Sequence, residues 1–323
     1  MNEPDEVWYS DLTMELEAGR LTPFLGAGVN TVGVDRTQPF APGVRLPDAA
    51  ELANYLVSKR RYEMRQGDEQ ELVKVAQAWF SRLGSAPLYA ELHRLFDHDF
   101  PPTPVHRVLA RMPEYVRQYA DPQLREFPLF ITTNYDDALE RALTSQGEQF
   151  DVLTYIATGK RVGKFQHTDP SGKGTLVKLG SKYQAVDLRE RSVVLKLHGA
   201  VWRGVLDASN VQDSYVITED DYIESMAADV MANLPIAVST RMQACHYLFL
   251  GYSLRDWNLR AMLHRIWKEH VRENTSWAIE RAPDKNEVNA WKARDVEIFE
   301  LDLQEFAAHL ATELDRKPSE GLV

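Results

Sequence analysis

Short apolar runs rich in β-forming residues alternate along the chain with segments in which apolar residues recur every three or four positions. The first pattern is typical of buried strands and the second of amphipathic helices. Their alternation predicts a mostly parallel sheet covered by helices, which is a doubly wound (Rossmann-like) α/β fold. The predicted strands are Leu21–Leu25, Phe127–Thr132, Ser192–Leu197, His246–Leu250, Trp277–Glu280 and Val296–Leu301.

Much of the helical pattern lies between the first two predicted strands. Gly19 suits the end of a first helix, and Pro47 suits the first turn of a later one. Residues 50–126 are therefore predicted to form a largely helical insertion into the α/β fold. The predicted helices are Asp5–Ala18, one beginning at Pro47, Glu69–Leu83, Leu88–Phe96, Pro104–Met112, Asp136–Leu143, Glu219–Ala232, Ile236–Ala244, Asp256–Val271 and one beginning at Leu303.

The stretch from Ala157 to Arg191 has a different composition, with five glycines among many charges and few large apolar residues. This composition indicates an insertion or a flexible excursion. Residues 1–315 as a whole are predicted to form a single nucleotide-binding domain, and residues 316–323 a loose tail.

Charge and cysteine content narrow the functional classes. The 37 Lys and Arg residues against 48 Asp and Glu residues give a net charge of −11, which disfavours direct binding of nucleic acid. The basic cluster around Lys59 is better read as a solvated helix face. Cys245 is the single cysteine, so an internal disulfide and a multi-cysteine zinc site are both excluded. The acidic N-terminus and the lack of an apolar run of about 20 residues predict a soluble cytoplasmic protein without membrane contact.

A glycine turn, Phe24–Asn30, follows the first predicted strand. Glycines allow the backbone to approach a pyrophosphate closely, although a tight turn without a ligand would show the same residues. A dehydrogenase fingerprint fits poorly because its third glycine would fall at Thr31, whereas Gly33 is the next glycine here. The acid expected about 20 residues later would be Asp48, which begins a helix instead of ending a strand.

Polar or small residues also follow three further strands. Thr133, Asn134 and Asp136 come after the second, and helix capping explains only one of them. His198 ends the third, although a lone histidine is more often structural than catalytic. Because the carboxyl ends of parallel strands share one edge of a sheet, we expect these residues to converge there. The fourth such group is Gly251, Ser253 and Asp256, which follow the strand ending at Leu250.

Taken in this order, the four motifs resemble the sirtuin-like family, and most closely its prokaryotic antiphage-defence branch. The resemblance extends from about Leu21 to Leu310. The matching segments are Gly26–Gly28 for the nucleotide-binding opening, Gly43–Leu52 after it, Thr133–Asp136 for the Asn and Asp motif, Leu197–Gly199 for the active-site histidine, and Gly251–Leu254 with Asp256 for the adenosine-side loop.

Three departures from the deacylase pattern bear on the activity that the resemblance implies. The four-cysteine zinc module of the deacylases is missing, Asn30 stands where a serine is expected, and Thr133 replaces the glutamine before the catalytic asparagine. The loss of the zinc module disfavours removal of acyl groups from lysine. The defence branch instead implies hydrolysis of the nicotinamide–ribose bond of NAD, giving nicotinamide and ADP-ribose and depleting the cofactor.

The resemblance also assigns roles, with NAD as the substrate and no metal. Asn134 would orient the attacking water, and His198 would act as a general base or bind a ribose hydroxyl. The residues expected to bind NAD are Gly26, Ala27, Gly28, Asn30, Thr133, Asp136, Gly251, Ser253 and Asp256.

Two alternatives remain open at the level of the sequence. One is a sensor that binds NAD or ADP-ribose without turnover, and the other is a zinc-free deacylase. Because an unrestrained NAD hydrolase would kill its host, we expect control by self-assembly into a closed homo-oligomer or by a partner such as a HerA-like ATPase or an Argonaute-type protein.

Overall fold

The computed structural model describes residues 4–37, 39–60, 64, 67–203, 213–254, 257–267 and 275–316. Within these residues, the strands are β1 (Leu21–Leu25), β2 (Leu129–Thr132), β3 (Phe150–Tyr155), β4 (Phe165–Thr168), β5 (Gly174–Val177), β6 (Ser192–Lys196), β7 (Gly199–Ala200), β8 (Ser214–Tyr215), β9 (His246–Leu250), β10 (Ser276–Glu280) and β11 (Val296–Glu300).

Helices surround these strands, and several begin at an acidic cap. The Asp5 carboxylate accepts a hydrogen bond of 2.9 Å from the Trp8 N–H and so caps the first helix. The helices are α1 (Glu6–Glu17), α2 (Ala49–Arg60), α3 (Leu72–Leu83), α4 (Ser85–Phe96), α5 (Pro104–Leu109), α6 (Met112–Tyr119), α7 (Ala138–Ser145), α8 (Glu219–Ala227), α9 (Val230–Asn233), α10 (Ile236–Ala244), α11 (Trp257–Trp267), α12 (Lys285–Lys292) and α13 (Leu303–Asp315).

One sheet organises the described residues, with nine strands in the order β11-β10-β9-β1-β2-β6-β3-β4-β5. All neighbours from β11 to β3 are parallel, whereas β4 and β5 add to the β3 edge in antiparallel fashion. A small antiparallel pair, β7 with β8, lies beside the sheet. The mostly parallel, Rossmann-like α/β fold predicted from the sequence is confirmed.

Side chains on successive positions of the central strands enter different cores, because they point to opposite faces of the sheet. Leu25 packs with α1, α5, α7 and α13, and Phe24 packs with α10, α11 and α12. Helices α2, α3 and α4 form a third core, which reaches Tyr135 and Tyr215 at the end of the sheet. Burial on both faces explains why the central strands read as continuous apolar runs.

The structure differs from the sequence prediction in several elements. Strand β3 was not predicted, and the stretch 157–191, predicted as an insertion or flexible excursion, contains β4 and β5. Its glycines occupy turns: Gly159, Gly163 and Gly172 all have positive φ. They therefore mark the short connections of an edge extension. The helix predicted over Glu219–Ala232 is divided in two, as α8 and α9, whereas the helix predicted over Pro104–Met112 ends at Leu109 as α5 and the following α6 was not predicted.

Two further predictions concern the chain ends and membrane contact. Residues 317–323 of the predicted tail lie outside the described residues, as does Asp256. In the part of the chain that the structure describes, no helix is both long and apolar enough to cross a membrane.

Candidate functional site

The four strands that carry the sequence motifs are direct neighbours in the sheet, in the order β9-β1-β2-β6. All four are parallel, so their carboxyl ends meet at one edge, and the expected convergence is confirmed. Strand β2, the next in the chain, pairs with one edge of β1, whereas β9 pairs with the opposite edge. This reversal of strand order opens the crevice in which doubly wound sheets bind ligands.

The first and fourth motifs contain glycine because their turns pack directly on each other. The N–H groups of Gly26 and Gly28 donate hydrogen bonds of 2.9 Å to the carbonyls of Leu250 and Gly251. A Cβ atom at Gly26 or Gly28 would lie 2.7 or 2.8 Å from the Gly251 oxygen. Gly251 itself has φ of +70°, and its Cβ would lie 2.3 Å from the nitrogen of Val29. No larger side chain fits at these three positions without displacing backbone.

Asn134 is fixed at the floor of the crevice by two hydrogen bonds. Its backbone N–H donates to the Thr132 hydroxyl at 3.0 Å, and its side-chain Nδ2 donates to the Gly26 carbonyl at 3.2 Å. Among the described residues, no donor contacts its Oδ1 atom. The neighbouring Thr133 hydroxyl is hydrogen-bonded to the Tyr252 hydroxyl of the fourth motif. The asparagine oxygen is thus positioned and available as an acceptor.

A buried hydrogen bond joins the first and second motifs. The Nδ2 of Asn30 donates to Oδ2 of Asp136 at 2.9 Å, and Oδ1 of Asp136 accepts from the Ala138 N–H at the start of α7. Asn30 is 4% exposed, and its Oδ1 has no hydrogen-bond partner within the described chain. An unpaired buried acceptor is costly unless a ligand satisfies it.

A buried ion pair between Lys196 and Glu140 stabilises the segment that contains Asp136. The Lys196 ammonium, on the last residue of β6, lies 2.8 Å from Oε1 of Glu140 and also donates to the Asp136 carbonyl. Burial raises the pKa of Glu140, and the nearby Lys196 charge opposes that rise. The lysine therefore connects the strand that leads to His198 with the helix that follows Asp136.

His198 is half-buried at the end of β6 and faces α8. Its ring meets that of Tyr222 edge to face, with centroids 5.2 Å apart, and Nδ1 lies 3.5 Å from the Tyr222 hydroxyl. Desolvation lowers the pKa of His198 to about 4, so the imidazole is neutral at pH 7. A neutral imidazole in a crevice is able to accept a proton.

These groups surround one cavity of about 960 Å³. It continues past the carboxyl ends of β10 and β11, where Glu280, Arg281 and Asp302 line it. Gly26 is not among its lining residues, although its carbonyl holds Asn134. The predicted site residues that line the cavity are Ala27, Gly28, Asn30, Thr133, Asn134, Asp136, His198, Gly251 and Ser253.

Several residues of the site were not predicted as functional. Tyr222 lies in a predicted helix with no motif around it, and only the packing of α8 brings it to His198. Tyr252 belongs to the fourth motif and Lys196 to the strand before His198, but their contacts depend on neighbouring elements. Among the described residues, no three His, Cys, Asp or Glu side chains are grouped closely enough to hold a metal ion.

A glycine turn and polar strand ends around a crevice at this reversal of strand order are the arrangement in which doubly wound α/β proteins bind ligands. The chain belongs to the SIR2-like family, because the family model for the SIR2-like domain matches residues 128–299, more than half of the chain. This confirms the resemblance to sirtuin-like proteins drawn from the four motifs.

The chain is similar in sequence to NAD(+) hydrolases and a defence-associated sirtuin. It is 25% identical to the NAD(+) hydrolase ThsA of Bacillus cereus (strain MSX-D12) over 95% of this chain and 53% of that protein. It is 31% identical to the NAD(+) hydrolase ThsA of Acinetobacter baumannii (strain 532279) over 54% of this chain and 26% of that protein. It is 23% identical to the Defense-associated sirtuin 2 of Bacillus subtilis over 80% of this chain and 20% of that protein. The chain thus spans about half the length of the relatives it matches, or less.

Proposed function

We propose that this chain hydrolyses NAD, cleaving the bond between nicotinamide and ribose to give nicotinamide and ADP-ribose. The observation that carries the proposal is the pairing of a free Asn134 oxygen with a neutral His198 in one cavity at the switch point. The names of the relatives, two NAD(+) hydrolases and a defence-associated sirtuin, support the same substrate.

The cavity suits NAD in size and in its polar groups. A volume of about 960 Å³ lies at the upper end of the range for small-molecule sites. The unpaired Oδ1 of Asn30 would accept a hydrogen bond from a ribose hydroxyl or from the carboxamide. Asp136 would hold Asn30 in place through the 2.9 Å hydrogen bond. Gly251 and Ser253 would lie on the adenosine side, with Ala27 and Gly28 near the pyrophosphate.

The chemistry follows from charge development at the ribose. When nicotinamide leaves with the electron pair of the glycosidic bond, C1′ gains oxocarbenium character, as in glycoside hydrolysis. The Oδ1 of Asn134 would orient a water toward this carbon. His198, neutral at pH 7 because of its desolvation, would take the proton of that water as the new C–O bond forms.

In the cell, we propose that this reaction serves as an antiphage-defence effector in the cytoplasm by depleting NAD. Such an effector must be restrained before infection. We propose that assembly into a closed homo-oligomer, or docking on a partner such as a HerA-like ATPase or an Argonaute-type protein, supplies the control. Nicotinamide release per protomer should then rise steeply with protein concentration or with the partner present.

The decisive experiment incubates the purified chain with NAD over a range of protein concentrations and follows nicotinamide and ADP-ribose by mass spectrometry. Equal amounts of the two products are expected, and His198→Ala should lower both by about 10²–10⁴-fold. Saturable binding of NAD without nicotinamide at any concentration, with the activating partner present, would instead identify the sensor alternative. An acetylated peptide in the same reactions tests for the zinc-free deacylase, which would yield O-acetyl-ADP-ribose.

A further inference from the structure

A second cavity, of about 550 Å³, shares His198 and Tyr222 with the 960 Å³ cavity. Helices α8 to α11 enclose it, together with Tyr155 at the end of β3. The two cavities therefore meet at these two side chains. A molecule in the second cavity would therefore lie against the histidine that the hydrolysis uses.

Four methionines give the walls of this second cavity flexible apolar surface beside its polar groups. Methionine adapts its shape to a ligand, because it has three rotatable bonds and a polarisable sulfur. A concave site with apolar walls and few polar groups is the usual form of a small-molecule site. The methionines that line it are Met226, Met231, Met242 and Met262.

The two charged residues in the wall are engaged with backbone groups. The Arg265 guanidinium donates to the carbonyls of Met226 and Ala228, the latter at 2.8 Å. The Asp229 carboxylate caps α9 by accepting from the Ala232 N–H at 3.1 Å. Because both charged groups already have hydrogen-bond partners, an uncharged ligand would leave these contacts undisturbed.

One polar group in the wall lacks a partner. Tyr155 is 1% exposed, and its hydroxyl makes no hydrogen bond within the described chain. Burial raises the pKa of Tyr155 to about 12, so the group remains a hydroxyl at pH 7. A buried hydroxyl without a partner is costly, and an oxygen atom on a ligand would relieve that cost.

We infer that the second cavity binds a small, uncharged and mainly apolar alcohol that accepts the ADP-ribosyl group in place of water. The inference rests on the proposed function. The bond between C1′ and the nicotinamide nitrogen breaks, and its electron pair leaves with neutral nicotinamide. A bond forms between C1′ and the alcohol oxygen, and the hydroxyl proton passes to the neutral His198 imidazole. The product is an alkyl ADP-ribose.

Binding is tested without turnover by labelling the methionine methyl groups with ¹³C and titrating 1-hexanol into the full chain. The methyl resonances of the four cavity methionines should shift saturably. Met14, which is 60% exposed on α1, serves as the reference for non-specific solvent effects. Tyr155→Phe should weaken the binding by about fivefold, the value of one hydrogen bond. Shifts no larger than that of Met14 would overturn the inference.

Transfer is tested by adding NAD together with primary alcohols from methanol to 1-hexanol. The ratio of alkyl ADP-ribose to ADP-ribose should rise by about fourfold per methylene group, as apolar burial predicts. Filling the cavity with Met262→Trp should lower the 1-hexanol ratio at least tenfold, whereas the surface change Met14→Trp should leave it unaltered.

The two proposals fail in different ways. Nicotinamide release with a ratio that stays flat or falls along the alcohol series would leave the hydrolase standing and overturn the acceptor site. Failure to release nicotinamide with or without alcohol would overturn the hydrolase and the transfer step together.

Discussion

The side-chain amide of Asn30 donates a buried hydrogen bond of 2.9 Å to the carboxylate of Asp136, 106 residues further along the chain. The bond joins the turn after β1 to the turn after β2, and both residues line the 960 Å³ cavity. It leaves the Asn30 oxygen unpaired within the described residues. One hydrogen bond thus aligns two motifs and orients an acceptor toward the ligand.

A charge swap tests this relationship. Asn30→Asp places two carboxylates side by side, and Asp136→Asn removes the charged acceptor, so each variant should lower kcat/KM for NAD by at least tenfold. The double variant Asn30→Asp/Asp136→Asn restores a reciprocal amide–carboxylate bond and should recover a large part of the loss. Additive losses in the double variant would show that the two side chains act independently.

Removal of the two central groups tests the chemistry. Asn134→Ala and His198→Ala should each reduce NAD cleavage by about 10²–10⁴-fold, the usual range for positioned acid–base groups. The unfolding free energy of Asn134→Ala should fall by only about 1 kcal/mol, for one lost hydrogen bond to Gly26. His264→Ala, on the exposed face of α11, is the matched histidine control and should retain full activity. Normal turnover in either crevice variant would refute the assignment.

The pH dependence reports the state of His198. Its pKa is lowered to about 4, so the imidazole is neutral and able to accept a proton throughout the range from pH 6 to 8. As the pH falls through about 4, the ring gains a proton and loses this capacity. The kcat/KM for NAD, which reports groups of the free enzyme, should therefore be flat above pH 6 and decline only below about pH 5. A decline centred near 6.5, the ordinary pKa of histidine, would contradict a desolvated base.

The buried Lys196–Glu140 pair should reveal itself in a double-mutant cycle. Lys196→Met leaves the Glu140 carboxylate without its partner and should lower the unfolding free energy by about 3–5 kcal/mol. Lys196→Met/Glu140→Leu removes both charges and should be more stable than the single variant. Urea unfolding of the unmodified protein, both single variants and the double variant measures the cycle, and additive losses in the double variant would exclude direct coupling.

Substitutions at two glycines with similar φ angles distinguish the cost of steric overlap from the cost of backbone strain. Gly251 and Gly147 have φ of +70° and +76°, but only Gly251 has neighbours where a Cβ would go. Gly147→Ala should cost only about 1–2 kcal/mol, for the left-handed conformation. Gly251→Ala must also displace the backbone of Val29, so it should destabilise the protein more and abolish NAD binding. Equal effects in thermal unfolding would mean that the packing of the two turns is unimportant.

Much of the fold could be predicted from local pattern. Strands β1 and β9 were predicted with their observed bounds, because residues buried on both faces of a parallel sheet form unbroken apolar runs. Strands β4 and β5 escaped prediction because they are short, lie at the edge of the sheet and are bounded by turn glycines. Helix α6 was also missed, and the helix predicted to end at Met112 ends at Leu109, because apolar residues continue across the break.

The sequence by itself determined which residues end the four central strands, and hence that Asn134, Asp136, His198 and the glycine turns would share one edge. It did so because strand ends and turn residues are local properties. Only the tertiary structure decided that Asn30 bonds Asp136, that Lys196 supports the same segment, and that Tyr222 and His198 line two cavities at once. Those contacts join segments far apart in the chain, and their geometry depends on how helices pack against the sheet.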